Sequence, residues 1–162
     1  MKSFLLPLCS ALALSIAFTS CKKDKKEDPA PVAKTKTELI SGKNWKLTGG
    51  IINPAADFGT GTPTTDAYSQ VNNCRKDDLL RFDTPNVYKQ DEGATKCSAS
   101  DLQTETGTWA FSMNETKITT SIASGSPKTY NLVELTETTL KTSEVINIAS
   151  VSHTVTSIYT KQ

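Results

Sequence analysis

The sequence predicts an all-β protein: an eight-stranded antiparallel up-and-down barrel (lipocalin-like) preceded by one short N-terminal helical turn. Three observations carry this. From residue 44 onward the chain is a succession of short segments rich in Thr, Val, Ile and aromatic residues. Gly, Pro, Asn and Asp turns stand between them, with no helical stretch. Sequential strands joined by short turns favour a meander, and eight strands close readily into a barrel. A two-sheet sandwich is the competing arrangement of the same strands. At 162 residues the chain suits one ordinary domain with a real core. A net charge of +1 lacks the basic footprint of a nucleic-acid binder. With 22% charged residues and Trp, Phe, Tyr and Ile all present, it is not a disordered chain.

Residues 1–20 hold one charge, Lys2, and an apolar run from Phe4 to Phe18. That run is short for a bilayer span and has the form of an export signal. Its end, Ala17-Phe18-Thr19-Ser20-Cys21, resembles the lipobox of bacterial lipoproteins, in which the cysteine thiol is diacylglycerylated and becomes the first residue. The alternative is an ordinary cleaved signal that leaves Cys21 as a free thiol. Residues 21–36 form a charged, proline-containing tether that cannot bury apolar surface. Lipoproteins of this kind carry three acyl chains, and two or more anchor a protein stably. Lys22 directly after the cysteine is similar to the signal of lipoproteins sent to the outer membrane, on its periplasmic face or at the cell surface.

The domain is expected over 37–162. Thr35-Lys36-Thr37-Glu38 has capping-box spacing and Gly42 ends the turn it starts. Trp45, Leu47 and Ile51 then share one face of a first strand. The stretch from Ile52 to Asn73, rich in Gly, Pro, Thr, Asp and Asn, is longer than a usual connection and reads as a lid or a mobile loop. Strands follow at Asp78–Phe82, Val87–Lys89 and Gly107–Met113, the last with Trp109, Phe111 and Met113 on one face. Lys117–Ile122, Thr129–Leu135, Thr139–Ile148 and Val151–Thr160 complete the eight. Val133 and Leu135 break parity with Tyr130 and Leu132, which calls for a bulge or for packing on both faces.

Of four cysteines, Cys9 leaves with the signal and Cys21 takes lipid, so Cys74 and Cys97 remain as a pair in an oxidising compartment. One disulfide is the economical reading. Closing that loop stabilises a fold by about 3 kcal/mol in the chain-entropy model. These two cysteines and the distant His153 match no zinc spacing, so no metal is expected. Losing Lys2 with the leader leaves 17 basic and 17 acidic residues. Six lysines and three acids lie in the tether, so the domain carries 11 basic against 14 acidic residues, a net of −3.

Several runs together resemble the lipocalin-like domains of Bacteroidetes lipoproteins. They are Leu39-Ile40-Ser41-Gly42-Lys43-Asn44-Trp45-Lys46-Leu47, Cys74-Arg75-Lys76-Asp77-Asp78 before Phe82, Gly93 to Cys97, Gly107-Thr108-Trp109-Ala110-Phe111, and Leu132 to Leu140. The resemblance spans Leu39 to Thr160 and implies a calycin-type barrel with an internal cavity for a small apolar molecule. Lipocalins open their first strand with Gly-x-Trp; here Trp45 follows Gly42 by three, and the Gly-x-Trp at Gly107 lies mid-chain.

Material for catalysis is thin, and no catalytic residue or cofactor is assigned. His153 shares parity with Val151, Val155 and Tyr159 and so faces the barrel, either as a core histidine or as a ligand contact. Asp77-Asp78 lacks the oxygen pattern of a calcium loop and reads as a solvated approach to a strand. Asn114-Glu115-Thr116 matches a glycosylation acceptor, which means little in a bacterial lipoprotein. Trp45, Phe82, Trp109 and Phe111 are core residues, or cavity lining together with His153 if the barrel is hollow. The expected protein is a monomeric, non-enzymatic, envelope-anchored barrel that binds or carries a small hydrophobic molecule. The alternative is an interaction module presenting its loops to another envelope component. Cys21→Ser should abolish incorporation of labelled palmitate and move the protein out of the sedimented membrane fraction; undiminished labelling would rule out Cys21 as the anchor.

Overall fold

The computed structural model describes residues 32–162; the leader, Cys21 and most of the tether lie outside the described residues. A capped turn of helix, α1 (Lys36–Ile40), leads into nine strands: β1 (Asn44–Ala56), β2 (Thr64–Asp66), β3 (Leu79–Asp83), β4 (Val87–Asp91), β5 (Thr104–Ser112), β6 (Lys117–Ile122), β7 (Lys128–Leu135), β8 (Thr139–Ile148) and β9 (Val151–Lys161). Every neighbouring pair from β3 to β9 is antiparallel and sequential. Pairing of β1 with β9, from Trp45 opposite Lys161 to Asn53 opposite Thr154, closes the sheet. The result is a closed antiparallel barrel of eight strands, with the three-residue β2 added alongside the far half of β1.

The capping box forms as the spacing requires. The Thr35 hydroxyl accepts from the Glu38 N–H at 3.2 Å, and the Glu38 carboxylate accepts from the Thr35 N–H at 2.7 Å. Gly42 takes φ +70°, a left-handed conformation that suits glycine, and donates to the Phe82 carbonyl at 2.9 Å. The helix thereby turns under the barrel and sets Ile40 into its base, fully buried against Trp45. The core continues upward through Phe82, Tyr88, Trp109, Ile118 and Leu140. Phe82 and Trp109 meet edge to face at 5.5 Å, as do Trp109 and Phe111 at 5.3 Å.

The structure departs from simple alternation in three places. The register slips between Leu47 and Gly49, so Ile52 rather than Ile51 turns inward; Ile52 is fully buried and Ile51 is exposed. A second slip between Leu132 and Glu134 turns Val133 outward and lets both Leu132 and Leu135 join the core. Met113 does not continue the face of Trp109 and Phe111: it opens a turn in which Met113, Asn114 and Glu115 all have positive φ, and it is exposed.

The long stretch after the first strand is not an unstructured loop: it carries strand, turn and 3-10 elements. β1 runs on to Ala56, the Asp57 carboxylate accepts from the N–H groups of Gly59, Thr60 and Gly61, and β2 returns along β1. Two 3-10 turns, Tyr68–Gln70 and Asn73–Arg75, then carry the chain to β3.

Among the glycines, Gly107 leaves the least room for a side chain. A Cβ there would collide with the Ser121 carbonyl oxygen on β6. Gly107→Ala should therefore cost about 2–3 kcal/mol as backbone overpacking. A lowered midpoint with an unchanged slope in urea unfolding is the expected signature; an unaltered midpoint would contradict the packing.

Candidate functional site

Strand direction gives the two barrel ends different characters. α1 plugs the end at which β1, β4, β6 and β8 begin. There Lys36 reaches the Glu115 carbonyl at 2.7 Å, and Lys43 donates to the Leu39 carbonyl at 2.6 Å and to Glu137 at 3.1 Å. The opposite end is open. Pairing of β1 with β3 spans only Asn44–Lys46 against Leu79–Arg81, and beyond Lys46 the two strands diverge. The 67–78 segment fills this gap.

Four contacts hold that segment as a wall. The Ala67 N–H donates to the Gly50 carbonyl at 3.1 Å, and the Lys76 ammonium sits 5.1 Å from the centre of the Tyr68 ring. The Asp77 carboxylate accepts from the Ala94 N–H at 2.9 Å. A disulfide joins Cys74 to Cys97, tying the wall to the loop between β4 and β5. The pairing expected from the cysteine count is thus present.

Behind the wall lies a cup shared by three joined spaces, each bordered by Tyr88 and Tyr130. The deepest, over Phe82, Ile118, Leu140 and Thr142, has only about 30 Å³ of free volume. That is room for about one water molecule. Above it a space of about 260 Å³ opens toward Leu47, Val71, Arg75, Asp78 and Tyr159. A third, of about 170 Å³, runs toward Gly125, Ser126 and Lys128 in and after the turn between β6 and β7.

The residues singled out from sequence are placed as follows. Phe82 borders the deepest space. Trp45 and Trp109 are buried lower down, with their indole N–H groups donated to the carbonyls of Ile40 and Asp83, each at 3.0 Å, and Phe111 packs against Trp109. They build the core beneath the cup and do not line it. His153 faces inward and is buried, and its ring Nδ1 is joined to the Pro54 carbonyl across to β1 at 2.8 Å. A carbonyl only accepts, so Nδ1 carries the proton. The imidazole lies opposite Ile146, away from the cup lining. Asp77 and Asp78 are not simply solvated: each has one carboxylate oxygen shut off from solvent without a hydrogen-bond partner. Among the described residues, no group of three or more His, Cys, Asp or Glu side chains is arranged to hold a metal ion.

The residues that make the site are ones the sequence reading did not assign to it: Tyr88, Tyr130, Tyr159, Leu80, Arg75 and Asp78. Parity carried part of the signal, since Tyr159 shares the inward face of β9 with His153. Burial pushes the phenol of Tyr130 up to about 12, helped by Glu144 and Tyr159. Burial likewise raises Tyr88 and Tyr159, so all three remain neutral hydroxyls at physiological pH. Burial also raises Asp78 to about 6; Glu92, Asp77 and Asp91 add to this and Arg75 opposes it.

A family model described as a lipocalin-like domain matches residues 40–142, from the last residue of α1 into β8. No curated protein matches the chain.

The Asp78 shift has a direct consequence for stability. Its folded-state value of about 6 lies above the ordinary 3.8, so the folded chain holds this proton more tightly than the unfolded one. The stability this adds is complete below about pH 4 and is lost as pH rises through about 6. Asp83 and Asp91 shift downward and act oppositely, so the test is a difference between two proteins. Asp78→Asn should gain on the parent between pH 4 and pH 6 in urea unfolding and keep that gain at pH 7. A constant gap across this range would contradict the shift.

Proposed function

The chain belongs to the lipocalin-like domain family, and on that premise we propose that it is a binding protein whose ligand, a small and largely apolar molecule, sits in the tyrosine-walled cup. The observation that carries this reading is the distribution of free space inside the barrel; the larger groove beside α1, lined by Lys34, Glu38, Arg81 and Asp83, is polar and lies outside it. The deep interior is filled, whereas about 260 Å³ stands open beneath the 67–78 wall, faced by Leu47, Leu80, Val71 and three tyrosines. Such a mixture of apolar surface and a few convergent polar groups is what small-molecule sites present. The ligand therefore lies across the mouth and does not penetrate to Trp45 or Trp109. Binding, not catalysis, is the role proposed, since the one histidine of the chain is buried against Pro54 and does not border the cup.

The setting proposed is the bacterial cell envelope. The leader, the lipobox-like run ending at Cys21 and the lysine-rich tether support a lipoprotein held at the outer membrane, of the kind Bacteroidetes make. A tether of residues 21–36 lets the barrel stand off the surface with its cup free to receive a molecule from the envelope or its surroundings.

NMR of the full chain with labelled tyrosine rings tests the cup. Titration with 2-(2-naphthyl)ethanol should shift the Tyr88, Tyr130 and Tyr159 resonances together. Tyr130→Ala removes an aromatic wall whose burial contributes about 1.5–3 kcal/mol, so the affinity should fall by about tenfold or more. Val133→Ala, on the outer surface, should leave it unchanged. Shifts confined to residues outside the cup, or equal binding by Tyr130→Ala, would refute the assignment.

A further inference from the structure

The last hairpin of the barrel outruns its neighbour. β7 stays with β8 only from Leu135 opposite Leu140 to Asn131 opposite Ser143. β9 follows β8 to its end, as far as Val151 opposite Ile148. Residues 144–148 therefore have β9 on one side and no paired strand on the other. The phase of the ladder fixes which main-chain groups are left over. The Lys161 N–H donates to the Thr138 carbonyl, and hydrogen-bonded pairs alternate along an antiparallel ladder. Glu144, Ile146 and Ile148 accordingly turn their main-chain groups to β9, and Val145 and Asn147 turn theirs away from it. Among the described residues no loop backbone bonds to Val145 or Asn147, and both are exposed.

Strand edges are normally kept short or guarded by lysine, proline or a bulge. β2, added along β1, is such a short edge at three residues. The β8 edge reads Val145-Ile146-Asn147-Ile148, with none of these guards and with three β-branched residues. Its hairpin is also stiff. Ala149 and Ser150 both take positive φ, as in the two-residue turn whose twist matches paired strands, and β8 meets β9 without a slip. The edge is thus held extended before anything meets it. Val145 and Asn147 each offer one donor and one acceptor. So short a ladder falls well below the roughly 800 Å² per partner of a stable protein–protein interface, which argues against a second copy of this chain as the occupant. A single extended segment suits it, because strand addition draws affinity from main-chain bonds and selectivity from alternate side chains. On the outer face such a segment meets the exposed Val145, and on the inner face Ile146 and Ile148. We infer that β8 accepts an added strand from another polypeptide: an extended, uncharged segment with apolar or β-branched residues at alternate positions. This interaction goes beyond the cup ligand proposed above and does not depend on it.

An acetylated, amidated heptapeptide of alternating valine and threonine, flanked by lysines for solubility, is the probe. Added to the isotope-labelled full chain, it should shift the Val145 and Asn147 amide signals in NMR. Their hydrogen exchange should slow by about tenfold or more, with little change at Glu144, Ile146 and Ile148, which already bond to β9. Methylating the backbone nitrogen of every second peptide residue should abolish these effects in one frame and spare them in the other, since only one set of N–H groups faces β8. Asn147→Pro removes an N–H that β9 does not use, so this variant should fold, still bind 2-(2-naphthyl)ethanol in the cup, and lose the peptide. Should the proline disturb the hairpin, the two methylated peptides make the same test on the parent chain. No shift at about millimolar peptide, the same result in both methylated frames, or binding that survives Asn147→Pro would overturn the inference. Protection of Val145 and Asn147 that grows with protein concentration in the free chain would also overturn it, by giving the edge to a second copy.

Discussion

The indole of Trp45 donates its single N–H to the Ile40 carbonyl, and through that bond the helix, the first strand and the core become one object. Trp45 and Ile40 are both fully buried, so neither partner has water as a substitute. Losing the bond would strand a buried carbonyl at the end of a five-residue helix that has little stability of its own. The capping box starts that helix and Gly42 turns the chain out of it, but Trp45 holds it against the barrel. With that end plugged, access from solvent is left to the other.

The open end exists because β1 keeps β3 as a neighbour for only three residues. It stays with β9 from Trp45 to Asn53, with one slip after Leu47, while its other edge is taken from Ile51 onward by β2. The 67–78 segment occupies the gap, and the disulfide between Cys74 and Cys97 fixes it to the neighbouring loop. Closing that loop restricts the unfolded chain, and it also holds in place one wall of the cup. Stability and the shape of the cup are therefore coupled through the same bond. The aromatic core beneath has the opposite duty: Phe82, Trp109 and Phe111 fill the interior in edge-on contacts and leave the free space near the mouth.

The electrostatics of the cup follow from partial burial. Tyr88, Tyr130 and Tyr159 keep their protons because desolvation disfavours phenolate. The same effect raises Asp78, and with three further acids behind it the carboxyl titrates near 6. A carboxyl held in this state gives up stability as it ionises toward neutral pH.

Much of the architecture was legible in the sequence because its causes are local. Strand periodicity, turn residues, the Thr35–Glu38 cap and the pairing of the two remaining cysteines each depend on neighbours along the chain or on simple counting. The inward parity of Tyr159 and His153 was equally readable. Tertiary structure alone decided where alternation breaks, since one extra residue at Thr48 or Val133 reverses every face beyond it and is fixed by the partner strand. It also decided the course of residues 52–73, whose polar composition resembles a loop but which find strand and wall positions once β1 and the disulfide are in place. Tyr88, Tyr130 and the pair Arg75 and Asp78 come from three separate stretches of chain and meet only when the barrel closes. The fold was written in local alternation; the site depends on which strand each strand lies beside, and a sequence carries that only through the packing of the whole.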